Sequence, residues 1–174
     1  MHVINNLIQT AMIKVTFNGK DAIKSQVFNN SITKVTLTGI MKVPSVYDLP
    51  SKVDDYMTKY TGVTAQWFNG RMYVSAIGIS KKSKEDAYDE TLGYRIAESR
   101  AKIKLYKFLY NVCKVYYYSL MRLCFGNLIN VGVHEISNQS LICDVLRYYT
   151  LLDKEKQHLN TLIHGTDTES PQQS

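Results

Sequence analysis

The chain of 174 residues is poor in the residues that build stapled, fibrous or linker-like proteins. It has three prolines and nine glycines, which excludes collagen-like and flexible-linker classes. Its three cysteines, Cys113, Cys124 and Cys143, are odd in number, have no CxxC spacing and sit among apolar residues. They read as buried, reduced thiols of a cytoplasmic protein rather than as a disulfide framework. The four histidines form no ligand pattern; His158 and His164, six apart, point in different directions on a helix. No metal or other cofactor is expected. P-loop, GxSxG, HExxH and paired-carboxylate signatures are all missing, so a non-enzymatic role is expected. The opening MHVINNLIQTAM lacks the basic region, apolar core and cleavage site of a secretory signal. The most apolar run, Leu105 to Phe125, contains Lys107, Lys114 and Arg122. Each would cost about 2.5–3.5 kcal/mol at a bilayer centre, so an amphipathic helix is expected there and no membrane partner.

What remains is an ordinary globular composition, 45% hydrophobic and 21% charged, with 13 tyrosines and a net charge of +6. A chain of this length can bury roughly 70% of its unfolded surface without disulfides or metal. The positive charge is uneven. Residues 1–80 carry eight basic and four acidic residues, 81–125 carry ten and five, and 126–174 carry three and six.

Residues 12–43 alternate in polarity and read as strands. Asn18-Gly19 has the form of a two-residue hairpin turn, and Asn29-Asn30-Ser31 offers a second turn. Pro44 closes this region, and a short helix is expected over about 49–61, capped by Asp48 and stopped by Gly62. The stretch 63–79 reads as a hairpin about Asn69-Gly70. That turn pairs Phe68 with Arg71, Trp67 with Met72 and Ala65 with Val74. The same register places Val63, Ala65, Trp67, Met72, Val74 and Ala76 on one face and Thr64, Gln66, Phe68, Arg71, Tyr73 and Ser75 on the other. Ser83-Lys84-Glu85-Asp86 resembles a capping box for a helix over about 84–123, with Asp86, Asp89 and Glu90 complementing its dipole. A last helix is expected over about 139–164, capped by Ser137 or Asn138 and closed by Gly165, with Leu141, Val145, Tyr148, Leu152, Leu159 and Ile163 on one face. The predicted fold is α+β: an antiparallel sheet of about five strands packed by a long amphipathic helix, plus a C-terminal helix. The divisions follow as 1–126 for the sheet and long helix, 127–165 for the C-terminal helical element and 166–174 for a mobile tail.

Three constellations could carry function. On the long helix, Arg100, Lys104, Lys107, Asn111, Lys114, Tyr118 and Arg122 fall within about 80° of arc, uninterrupted by acid, along roughly 33 Å. Such a stripe can track phosphates, with Tyr118 free to stack, or be a solvated face. On the hairpin, Phe68, Arg71 and Tyr73 share the outward face, an arrangement suited to stacking bases, although no RNP-type run is present; simple cross-strand pairing is the alternative. Finally, Tyr106, Tyr110 and Tyr117 can form the rim of the core or a protein interface.

One segment is similar to a known pattern. Within Tyr73–Lys104, the residues Ala76, Asp86, Tyr88, Asp89, Gly93, Ile96, Ala97, Arg100, Ala101 and Lys104 follow the order A…D-x-Y-D…G…I-A…R-A…K. It resembles a strand-to-helix module of small uncharacterised phage and prophage proteins, over about 30 residues, without the Cys and Pro usual at the turn. The resemblance implies a phage-like source and no particular activity. Gly93, Ala97 and Ala101, four apart, would let the helix approach a neighbour closely. The functional expectation is a cytoplasmic, phage-type accessory protein that binds nucleic acid or a host nucleoprotein through the basic stripe. The competing expectation is a protein-interaction or oligomerising module, a phage structural protein or an inhibitor of host defence, that uses the tyrosine-rich helix.

Overall fold

The computed structural model describes residues 13–17, 22–42, 59, 61–69, 71–82, 89–125 and 131–165. They form strands β1 (Lys14–Thr16), β2 (Ile23–Phe28), β3 (Ile32–Lys42), β4 (Val63–Phe68) and β5 (Arg71–Lys81), then helices α1 (Glu90–Phe125) and α2 (Val131–His164). The sheet is antiparallel in the order β1-β3-β5-β4, with β2 also paired to β3. The α+β architecture is as the sequence predicts.

Period-two alternation explains the sheet. Along β3, Thr33, Val35, Leu37, Gly39 and Met41 are buried, while the residues between them are exposed or half-buried. Along β5, Met72, Val74, Ala76, Gly78 and Ser80 are the buried set. The β4–β5 hairpin keeps the predicted register, with Phe68 opposite Arg71, Trp67 opposite Met72 and Ala65 opposite Val74. Asn69 supplies the positive φ that its two-residue turn requires. The turn between β2 and β3 also forms as expected, with positive φ at Asn29 and Asn30 and the Ser31 amide donating to the Phe28 carbonyl.

The hairpin expected about Asn18-Gly19 does not form between its flanking strands. β1 and β2 both run antiparallel to β3, so they point the same way along one edge of it. Thr16 faces Ile40 and Ile23 faces Leu37, so between the two pairings β3 has only Thr38 and Gly39. The two-residue rule reads local turn chemistry, whereas β3 supplies a longer, more buried partner for both flanking strands. Residues 18–21 themselves lie outside the described residues. So do most of the short helix expected at 49–61 and the tail 166–174. Lys59 and Thr61 are helical, and Gly62 follows with φ of 68°.

Helix α1 covers the inner face of the sheet, and α2 packs along α1. In α1 the buried positions are Ala97, Ala101, Leu105, Phe108, Leu109, Val112, Cys113 and Tyr116, spaced by threes and fours. From Leu105 onward they pack with Val15, Met41, Val63, Met72, Val74 and Ala76 from the sheet and with Leu141 and Tyr148 from α2. The C-terminal helix therefore shares the core of the sheet. At the other end, Ala97 and Ala101 meet Val35 and Leu37. Here the helix backbone lies directly on the strand: a Cβ on Gly78 would sit 1.8 Å from the Ala97 carbonyl oxygen.

The helix starts differ from expectation. α1 begins at Glu90, and Asp89 is its cap, the carboxylate accepting from the Leu92 amide at 3.0 Å. The cap expected at Ser83 lies outside the described residues, as do 84–88, and Asp89 is itself non-helical. The last helix begins at Val131, not at 139, so Ser137 and Asn138 lie within it. Leu141, Tyr148 and Leu152 are buried as expected, but Ile163 is exposed. Gly165 ends the helix with φ of 72°. Of the cysteines, Cys113 is buried, whereas Cys143 is exposed and departs from the buried reading.

Candidate nucleic-acid interface

The five strands contain no Asp or Glu, and their basic residues are Lys14, Lys24, Lys34, Lys42, Arg71 and Lys81. Alternation assigns each of these to a face. Directly opposed residues of an antiparallel pair project to the same side. Lys14 opposes Lys42, Lys24 opposes Thr36, Lys34 opposes Ile79 and Lys81 opposes Ile32. All are out of phase with the buried set, and so is Arg71, opposite Phe68. Every strand cation is therefore on the face turned away from the helices.

The predicted hairpin trio is on that face too. Phe68 is 64% exposed and Tyr73 36%, and their rings meet edge to face at 6.4 Å. Arg71 is exposed beside them. Continuing the β3–β5 pairing one residue past Met41–Met72 gives a row across the sheet: Lys14, Lys42, Arg71, Phe68. The next row inward reads Thr16, Ile40, Tyr73, Gln66. At the other end of β3, the same face carries Lys24, Lys34, Lys81 and Phe28. The separation between the ends is roughly 33 Å, ten residues of strand. Composition alone cannot reveal this segregation; only the register of all five strands puts the cations on one side.

The helix stripe is divided between roles. Beyond the Val63–Ala76 pair, no described strand lies along this edge of β5. There Lys104 Nζ donates to the Ile77 carbonyl at 2.7 Å and Arg100 to the Ile79 carbonyl at 2.6 Å. These two cations seal a strand edge; their charge is not neutralised by an acid in these bonds, but their donors are engaged. Lys107 is exposed, Asn111 is half-buried, and Lys114 lies over the Tyr110 ring at 5.3 Å. Tyr118 is 59% exposed and packs its ring edge against Tyr117. The Arg122 side chain lies outside the described residues. The stripe thus presents Lys107, Lys114 and Tyr118 beyond the sealed edge.

The three tyrosines expected at an interface sit partly buried against the core. Tyr106 lies near Glu155, and burial, then the Glu155 charge, pushes its phenol up. The Lys102 ammonium nearby is pulled down by burial, but its hydrogen bond to Glu98 and the charges of Glu98 and Glu155 outweigh that and raise it. Tyr110 meets Tyr149 at 6.0 Å. The sequence reading missed a buried polar latch: Asp144 accepts from the Ile13 amide at 3.1 Å and from Arg147, and Tyr148 donates to the Ile13 carbonyl. Burial raises the Tyr148 phenol and the adjacent Cys113 thiol well above their usual ranges. The latch fastens the residue before β1 to α2.

Among the described residues, no group of three or more His, Cys, Asp or Glu is placed to hold a metal, and no helix is long and apolar enough to cross a membrane. No protein-family model matches the chain, and no curated protein or solved structure does.

Proposed function

We propose that this chain is a non-enzymatic nucleic-acid-binding protein, a phage-type accessory factor acting in the host cytoplasm. One observation carries the reading: all six strand cations share the outer face of a sheet whose strands contain no acid. Like charges directly opposed across strands, as Lys14 and Lys42 are, cost stability. A face that gathers six cations and no strand acid fits a polyanion arriving there. Exposed Lys107 and Tyr118, with half-buried Lys114 between them, extend the positive surface along the helix. The phage-type assignment is supported by the strand-to-helix pattern alone.

Such binding rests on phosphate contacts and is steeply salt-dependent. Titrating the full chain with labelled oligonucleotides between 50 and 200 mM salt tests it. Four phosphate contacts predict a log–log slope of about −3. Absence of binding at low salt, or a flat slope, rejects the reading.

A second reading has its own support. Leu146 is 61% exposed, Tyr149 57% and Ile142 41%, an apolar stripe along one side of α2. In that reading the stripe joins a second copy, and the solution mass would be twice that of the monomer with no nucleic acid bound.

A further inference from the structure

Resting on that reading, we infer that the substrate is single-stranded, and that it crosses the sheet at the end marked by Asn69. Its phosphates lie along the row Lys14–Lys42–Arg71, and its bases lie on the Phe68–Tyr73 pair.

The width of the surface excludes a groove-reading mode. Four strands side by side place the axes of β1 and β4 about 14 Å apart. The major groove of a duplex is about 12 Å wide and admits a helix or a two-stranded ribbon, not a face of this breadth. The aromatic pair points the same way. Phe68 and Tyr73 are exposed on adjacent strands, edge to face, with no helix over them among the described residues. A duplex keeps its base faces stacked inside, whereas an unpaired strand can lay them on exposed rings.

The order of residues across the sheet supplies the rest. The outermost row holds three cations and Phe68; the row behind it holds Tyr73 with Gln66, an amide that can meet a base edge. Cations along the rim, with Phe68 at its end and Tyr73 one row inward, match a strand whose backbone follows the rim and whose bases turn onto the two rings. An acidic peptide would use the cations but leave the rings without flat partners.

The test measures affinity of the full chain for a single-stranded 10-mer, its duplex and polyglutamate, by fluorescence anisotropy at one salt concentration. The single strand should bind at least tenfold tighter than either competitor. Phe68→Thr/Tyr73→Thr keeps strand propensity and removes both rings. It should weaken single-strand binding about five- to 150-fold without changing the salt slope. Tyr73→Phe should retain affinity. Lys42→Ala/Arg71→Ala should instead flatten the slope by about 1.4. Equal binding of duplex or polyglutamate, or an unchanged affinity in the ring-less variant, overturns the inference while leaving salt-dependent nucleic-acid binding standing. Loss of all binding in the wild-type chain overturns both. Far-UV circular dichroism of each variant confirms that the sheet is intact.

Discussion

At the residue scale, Gly78 shows how one missing side chain sets the distance between two layers. Its Cβ would overlap the backbone of Ala97 and come within 2.6 Å of the Ala101 amide nitrogen. Backbone cannot rotate aside as a long side chain can. Gly78→Ala should therefore lift α1 from β5 and cost about 3 kcal/mol or more, read as a lowered denaturant midpoint. A loss under 0.5 kcal/mol would mean the layers are not in this contact. The helix half of this contact was legible in the sequence as Gly93, Ala97 and Ala101, small residues four apart. The strand half was not, because a glycine inside an alternating run is silent until its partner is known. Asp144 was equally hidden. An acid on a helix reads as solvent-facing unless a distant strand, here at Ile13, brings an amide to it.

At the element scale, β5 outruns β4 by five residues, and two α1 cations occupy the edge that this leaves. Unpaired strand edges invite pairing with other chains, and covering them with charged groups is a common defence. Arg100→Ala/Lys104→Ala should lower stability by about 1–3 kcal/mol and promote concentration-dependent association, followed by denaturation and light scattering. If the double variant stays monodisperse and loses no stability, the two residues do not guard the edge. The basic stripe was visible from helical periodicity. Its division into an edge-sealing part and an exposed part was not, since that depends on where β4 stops. The β4–β5 hairpin was read to the residue because turn and alternation agree there. Asn18-Gly19 misled because a turn motif is blind to a third strand that pairs with both of its flanks.

For the whole molecule, the latch at Ile13 ties the first strand to the last helix, so the groups beneath it report on global stability. Burial raises both Cys113 and Tyr148 in the folded chain, from ordinary values of 9.0 and 10.0. Between the ordinary and the raised value, the folded state holds a proton that the unfolded state has released. Their contribution is complete below about pH 9 and is lost as pH climbs beyond it. Urea midpoints should fall steadily from pH 9 to 11, and less steeply in Tyr148→Phe, which removes one of the two ionisations. A flat profile would show that neither group is buried.

The placement of charge has a consequence before any contact is made. The strands carry six cations and no acid, all on the outer face, whereas α1 and α2 together mix ten cations with six acids. Net positive charge per residue is therefore higher on the sheet than on the helices, and a negatively charged strand at a distance is drawn toward that face. Collisions are thereby pre-aligned, face forward, and the encounter rate should owe as much to this orientation as to net charge.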